Sequence, residues 1–279
     1  MLQLFKHFWD IPHRLSLIQQ ALGNQYIQSA LASPELLDPK RLERYGFKGY
    51  SQYDEDGILR EIFRRIGVTN RRFVEFGVGN GLENNTVYLL CQGWTGAWIE
   101  ADRPSHEGQL KNFAWAIQKG RLRSVHQALT KSNINRVILE DARVSGPIDL
   151  LSVDVDGNDY HLFEALDIVQ PRVCVIEYNG YVPPPILWVM EYAEPYSYDG
   201  TGYFGASLKS LETLARAKGY TLVGCNLVGL NAFFVKSELV EDKFAGEGMA
   251  EALFQPRRYW LERAYITGAV PYDRRFLEK

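Results

Sequence analysis

The sequence lacks most of the features that would narrow its class at once. Its 279 residues hold three cysteines, Cys91, Cys174 and Cys225, widely spaced, with no CxxC motif and no Cys/His cluster. Cys174 and Cys225 fall in apolar, strand-like runs, where a free thiol serves as a small hydrophobe. The pattern fits a reducing, cytoplasmic setting. There is no run of about 18 apolar residues, so no segment is expected to span a membrane. The opening MLQLFKHFWDIPHRLSLIQQALG has no apolar core followed by a small-residue cleavage site and does not read as a secretory signal. Basic residues are not concentrated either. Arg64-Arg65, Arg71-Arg72, Arg257-Arg258 and Arg274-Arg275 are scattered, and the net charge of −3 argues against a nucleic-acid partner. What remains is 46% hydrophobic and 23% charged, the balance of a soluble globular chain long enough for one large domain or a domain with an appendage.

Residues 1 to about 45 read as helical, with punctuation at Pro12, Pro34 and Pro39. Leu2, Phe5, Phe8 and Trp9 suggest an amphipathic first helix, docked on the domain or on a second copy of the chain rather than on a membrane surface. A homo-oligomer through these helices is therefore an expectation. Ile58, Leu59, Ile62, Phe63 and Ile66 form the apolar face of a helix opened by Asp56-Gly57. Strands and helices then alternate. Strands are expected at 72–78, 96–101, 121–129, 147–155 and 172–179, with helices at 83–93, near 105–119, around 132–143 and at 159–166. This alternation predicts a parallel sheet covered on both faces. After a helix at 207–220 the pattern breaks: YTLVGCNL and LNAFFVKSEL, joined near Val228-Gly229, read as an antiparallel hairpin closing the sheet.

The stretch FVEFGVGNGLENNT places Gly77, Gly79 and Gly81 between a strand and a helix, where glycine permits close backbone approach and positive φ. The dinucleotide fingerprint would need its third glycine where Leu82 stands, and the Lys-Ser/Thr of a P-loop is absent. Neither familiar phosphate cradle is present. Glu100 closes the next strand, 23 residues after Gly77, where a carboxylate can accept hydrogen bonds from both hydroxyls of a ribose. A glycine loop without a phosphate cradle, followed by such an acid, suits a nucleoside without a pyrophosphate, such as S-adenosylmethionine. A solvated strand-end carboxylate is the alternative for Glu100.

FVEFGVGNG with its trailing acid resembles the first two motifs of class I S-adenosylmethionine-dependent methyltransferases, and the terminal hairpin matches their sheet. More narrowly, SQYDEDGIL, FVEFGVGNGLENNT, IDLLSVDVDGNDY, VCVIEYN, YFGASL and GYTLVGCNLVGLNAFFV resemble the FkbM-like methyltransferases, a bacterial group associated with polysaccharides and sugars. The resemblance runs from about residue 51 to 236. It implies a Rossmann-like α/β fold with a mostly parallel seven-stranded sheet and an antiparallel terminal hairpin. The expected division is a helical extension over 1–45, the methyltransferase domain over 46–240 and a helical tail packed on it over 241–279. The resemblance also implies that Gln52, Glu55, Glu75, Gly77, Gly79, Asn80, Gly81, Asn85, Thr86 and Glu100 shape the cofactor pocket, with Gln127 and Ala128 at the adenine. Bottom-up, Glu55 and Asp56 read as helix-start acids favoured by the dipole.

The other chemistry lies in IDLLSVDVDGNDY. Asp154 and Asp156 are two apart and would share a face on an extended chain, as would Glu177 and Asn179 at the next strand end. If the strands are neighbours, as the resemblance implies, these four oxygen-bearing side chains converge at the carboxyl edge of the sheet, where open α/β folds bind ligands. Hard oxygens without Cys or His suit Mg²⁺, or else Mn²⁺ or Ca²⁺. An EF-hand counted from Asp154 fails, because Asp159 and Ala165 stand where Gly and Glu are required. D-V-D also matches the D-x-D of nucleotide-sugar glycosyltransferases, but that reading leaves GVGNG and Glu100 unexplained. Asp156-Gly157-Asn158 reads otherwise as a turn, with Asp159 as a helix cap rather than a ligand. Asp154 could equally lie near the methionine end of the cofactor. His161, in the first turn of the following helix, is a candidate general base, against the plainer reading of a surface histidine. The aromatic segment 180–207 reads as a lid or substrate wall, with Tyr181, Trp188, Tyr198, Tyr203 and Phe204 available to stack on a sugar.

Together these readings predict a cytoplasmic, metal-assisted O-methyltransferase. Asp154, Asp156 and His161 are its catalytic candidates, and its acceptor is a sugar hydroxyl or a similar small polyhydroxylated molecule. A metal-dependent glycosyltransferase and a binding module without turnover are the alternatives.

Overall fold

The computed structural model describes residues 2–261, and the side chains of residues 2–10 and 12 lie outside that description. The expected apolar face of Leu2, Phe5, Phe8 and Trp9 is thus outside the described residues. Leu2–Leu31 form α1, which continues through Pro12, where the sequence suggested a break. A proline removes one backbone hydrogen bond and crowds one carbonyl, and here that does not end the helix. Ile11, Leu15, Leu17, Ile18 and Leu22 of α1 are exposed. Its last turns pack Tyr26 and Ile27 against Tyr53, Val228, Leu230 and Leu261.

α2 (Glu55–Ile66) buries Ile58, Leu59, Ile62 and Phe63, as its spacing predicted. Its first acids are anchors rather than dipole ornaments. Glu55 Oε1 accepts from the side-chain amides of Asn226 (2.8 Å) and Asn231 (3.0 Å), pinning the helix to the hairpin. Asp56 Oδ2 gathers the N–H groups of Gly49, Tyr50 and Ser51.

The sheet has seven strands: β1 (Arg72–Phe76), β2 (Thr95–Glu100), β3 (Leu122–His126), β4 (Gly146–Val153), β5 (Val169–Glu177), β6 (Tyr220–Cys225) and β7 (Asn231–Lys236). Their order is β3-β2-β1-β4-β5-β7-β6. β1 to β5 are mutually parallel, and β7 pairs antiparallel with both β5 and β6. This is the Rossmann-like sheet with an antiparallel terminal hairpin that the sequence led us to expect. Successive residues of the inner strands feed opposite faces. Val74 and Leu151 join one core with Leu162 and Leu211, whereas Phe73 and Leu150 join the other with Ile58 and Val87.

Between the strands lie α3 (Val87–Cys91), α4 (Arg103–Asn112), α5 (Ala114–Gln118), α6 (Ile134–Arg136) running into a π-helical turn, α7 (Asp159–Ala165) and α8 (Leu208–Ala217). α9 (Ser237–Val240) and α10 (Ala250–Leu253) are short. The helix expected over 83–93 shrinks to α3, because Asn84 spends its side chain on the Val87 N–H (3.1 Å) instead of joining the helix.

Strand order reverses between β1 and β4, the place where open sheets of this kind leave a crevice. The glycine loop after β1 and the acidic turn after β4 are therefore side by side. They touch closely enough that a Cβ at Gly77 (φ +66°) would collide with the Asp154 carbonyl oxygen.

Candidate active site

Two cavities open at this edge and share a wall made by Asp156 and Tyr198. The larger, about 420 Å³, is lined by Gly77, Gly79, Glu100, Asp102, Gln127, Leu129 and Tyr196 among others. Gly79 (φ +57°) has no atom within 4 Å of the position a Cβ would take, so its bare backbone faces open space. Glu100 closes β2 and accepts from Gly79 N and Asp102 N, both at 2.7 Å, through different oxygens. Each oxygen keeps a second lone pair, so the carboxylate can still receive a diol. The volume lies in the usual range for a small-molecule site, and the donor set fits an adenosyl cofactor.

Several residues expected in that pocket stand behind it. Glu75 is buried, accepting from Asn85 N (2.8 Å) and the Thr86 hydroxyl (2.5 Å), and Thr86 in turn accepts from the Trp98 indole (2.7 Å). Burial pushes the Glu75 carboxyl up to about 7 despite these bonds. Glu75, Asn85 and Thr86 thus brace the glycine loop and line neither cavity. Gly81 packs toward Trp98 and Phe113, and Asn80 Oδ1 accepts from Leu82 N (3.0 Å), which keeps both off the cavity wall. Ala128 turns its carbonyl to Asn133 Nδ2 (3.0 Å), and its neighbours Gln127 and Leu129 face the cavity instead. Gln52 lines the smaller cavity.

That smaller cavity, about 260 Å³, contains Asp154, Asp156 and Glu177. Carboxylate oxygens of Asp154, Asp159 and Glu177 lie within 4.8 Å of one another. Two full charges at about that spacing repel by about 3 kcal/mol at an effective dielectric near 20. Burial, and then the neighbouring acids, hold the Asp154 and Glu177 carboxyls well above the ordinary range. Burial lifts Asp159 to about 7, although it accepts from Val155 N (2.7 Å) and Gly157 N (2.9 Å). Glu177 Oε2 is buried without a hydrogen-bond partner. Converging hard oxygens, mutual repulsion and an orphaned carboxylate oxygen fit a divalent cation.

The composition of the cluster corrects the sequence reading. Asp156 and Asn179 are not in it, and Asp159 is. The period-two argument holds only on an extended chain, and β4 ends at Val153. Asp156 adopts φ +59°, turning its side chain out to the wall between the cavities. Asn179, two residues past Glu177, donates to the Gly202 and Phe204 carbonyls (both 2.9 Å) and accepts from Tyr181 N (3.0 Å), so it braces the loop. His161 also leaves the site. Its Nε2 pairs with the Met190 carbonyl at 2.8 Å, and its ring packs edge-on to Tyr192. It positions the 190s segment and is not placed as a base.

Tyr198 and Phe204 of the aromatic segment do line the acidic cavity, whereas Trp188 and Tyr203 pack edge to face on each other. Tyr53, Arg257 and Tyr259 complete its wall. Nothing in the sequence singled out these three. Arg257 read there as half of one more scattered basic pair, and no local pattern signals that the chain returns over the site.

No curated protein matches this chain in sequence. Among solved structures it is similar to an O-methyltransferase from Bacillus cereus in complex with SAH, at 17% identity over 77% of this chain and 88% of that one, TM-score 0.41. It is also similar to an S-adenosylmethionine-dependent methyltransferase from Clostridium acetobutylicum, at 10% identity over 63% and 88%, TM-score 0.39. An O-methyltransferase family protein from Burkholderia thailandensis aligns at 13% identity over 63% and 54%, TM-score 0.40. Likenesses this distant carry no argument about the chemistry here. The family match is of another order: residues 45–194, just over half of the chain, match the FkbM methyltransferase domain. With its glycine loop, switch-point crevice and antiparallel hairpin, this chain belongs to the FkbM family and is an S-adenosylmethionine-dependent methyltransferase.

Proposed function

We propose that this methyltransferase alkylates a hydroxyl of a sugar or of a similar small polyhydroxylated acceptor. The cofactor would lie in the glycine-lined cavity, the acceptor in the acidic one. The carrying observation is the shared wall at Asp156 and Tyr198, which makes the two cavities adjoining halves of one cleft. In the reaction the acceptor oxygen attacks the methyl carbon, the C–S bond breaks, and the hydroxyl proton leaves to a base. Holding both partners in line is the protein's main contribution.

Glu100 orients the nucleoside, the missing side chain at Gly79 leaves room for it, and Tyr198 and Phe204 offer faces to a sugar ring. Asp154 and Glu177 face the acceptor half, and either carboxylate is in a position to take the proton. Asp159 shapes the turn that carries Asp154. A divalent ion, Mg²⁺ ahead of Mn²⁺ or Ca²⁺, would be held by Asp154 and Glu177 with Asp159 beside them, and would lower the pKa of an acceptor hydroxyl. The nucleotide-sugar reading of Asp154-Val155-Asp156 draws no support from a chain with this sheet and family.

Transfer of labelled methyl from S-adenosylmethionine to a panel of saccharides, with Mg²⁺ and with EDTA, tests the proposal. A methyl ether formed only with the ion supports both parts. Equal turnover in EDTA removes the metal, and methylation confined to nitrogen or carbon acceptors removes the hydroxyl.

A further inference from the structure

Arg257 lies beyond the segment that matches the family, on a stretch of chain that folds back over the acidic cavity. Its backbone N–H reaches the Gly180 carbonyl at 3.3 Å, and Gly180 has the room for this approach because a Cβ there would sit 3.0 Å from that nitrogen. The guanidinium carbon then stands 3.5 Å from the Tyr259 ring centroid and 4.5 Å from that of Tyr181, with Phe204 at 5.7 Å. Aromatic faces hold a guanidinium by cation–π attraction and fix its plane, yet they use none of its five N–H donors.

No hydrogen bond or ion pair of this guanidinium occurs among the described residues. The adjacent Arg258 differs: its Nη1 is committed to the Leu227 carbonyl (2.8 Å) and the Gln255 side chain (3.0 Å). Nor does Arg257 come within ion-pair distance of Glu177, although both line the same cavity. A caged, unspent fork and a group of carboxylates lining one cavity make a site with two signs. A ligand matching it carries hydroxyls at one end and a negative group at the other.

We propose that Arg257 binds a carboxylate or phosphate group of the acceptor, so that the preferred substrate is an acidic sugar rather than a neutral one. This rests on the assignment of the smaller cavity to the acceptor. The fork geometry of guanidinium suits either anion bidentately. The cofactor also carries a carboxylate, on its methionine end, and that source is separable by experiment.

The test is calorimetric titration of the full chain, in Mg²⁺ and saturated with S-adenosylhomocysteine. The probes are glucose, glucuronate and glucose 6-phosphate, with the galactose series in parallel. Arg257→Gln and Arg257→Lys are compared with the wild type, each with its melting temperature recorded. At least one acid should bind about 10- to 100-fold more tightly than its neutral parent, the range of a charge-assisted hydrogen bond. Arg257→Gln should abolish that preference, Arg257→Lys should keep part of it, and neither should move S-adenosylhomocysteine affinity more than about twofold. Whichever of uronate and phosphate gains more identifies the anion.

The proposal is overturned if no acid outbinds its parent or if the preference survives Arg257→Gln. It is also overturned if Arg257→Gln weakens S-adenosylhomocysteine about tenfold, because the carboxylate held would then be the cofactor's. Failure of the wild type to bind S-adenosylhomocysteine at all would strike the cofactor reading itself, and this proposal with it.

Discussion

Asp149 lies within β4 and Asp154 just past its end, and the two live under opposite conditions. Asp149 is buried in the middle of the strand. It accepts from the N–H groups of Thr69 (3.0 Å), Asn70 (2.8 Å) and Arg71 (2.6 Å), from the Thr69 hydroxyl (2.9 Å) and from the Arg172 guanidinium (3.1 Å). Burial alone would raise its pKa, but the Arg71 N–H, Arg172 and Thr69 outweigh it and hold the carboxyl below the ordinary value. Asp154, one residue past the strand's end, faces Asp159 and Glu177 and is held well above that value. One acid is satisfied by donors and ties the turn before β1 to the sheet. The other is set among like charges, an arrangement that weakens a fold unless something positive enters. Burial raises both carboxyls; donors outweigh it at Asp149, and neighbouring acids add to it at Asp154.

Substitution should split the pair cleanly. The largest effect expected is on turnover. Asp154→Asn or Glu177→Gln should lower methyl transfer by about 10³-fold, roughly 4 kcal/mol of transition-state stabilisation, while S-adenosylhomocysteine affinity stays within about threefold. Melting in EDTA should be unchanged or higher, since a repulsion has gone. Initial rates beside calorimetry check this, and unaltered turnover would dismiss the acidic cluster as chemistry.

Asp149→Asn should do the reverse. It strands N–H donors and a guanidinium, costing about 3 kcal/mol of stability in urea melts, with kcat per folded molecule intact at low temperature. The sign also predicts a pH course. Because the folded pKa is depressed, Asp149 stabilises above the ordinary carboxylate range, and that contribution is lost as pH falls through its folded value.

Glu75 offers a smaller, opposite course. Its folded pKa of about 7 exceeds the ordinary 4.5, so its stabilising contribution is full below about pH 4.5 and is lost as pH rises through about 7. The wild type should therefore lose up to about 2 kcal/mol between pH 5 and 8 that Glu75→Gln does not lose. Parallel pH curves for the two proteins would refute the assignment.

Much of this was legible in the chain. Apolar runs between turn signals marked the strands and the closing hairpin, and period 3.6 marked α2, because burial on both sheet faces or on one helix face imposes those patterns; the side-chain period of two along a strand was used to place the acids. FVEFGVGNG followed by Glu100 marked the glycine-lined cavity, since close backbone approach needs glycine wherever it occurs. The same periodicity misled at Asp156 and Asn179, because it was carried one turn past the ends of β4 and β5. Glu75, Asn85 and Thr86 belong to the right motif but support the loop from behind, a distinction that spacing does not encode.

The order of elements, the glycine loop and the acids at the strand ends can all be read from the chain, because they follow from local backbone and side-chain preference. Which acids meet depends on the packing of the folded chain. The left-handed turn at Asp156 removes one carboxylate, α7 brings Asp159 in, and the neighbouring strand supplies Glu177. That packing also decides that Arg257, 80 residues beyond Glu177, closes the same cavity. Contacts between residues that far apart are set by how whole elements pack, and no local pattern records them.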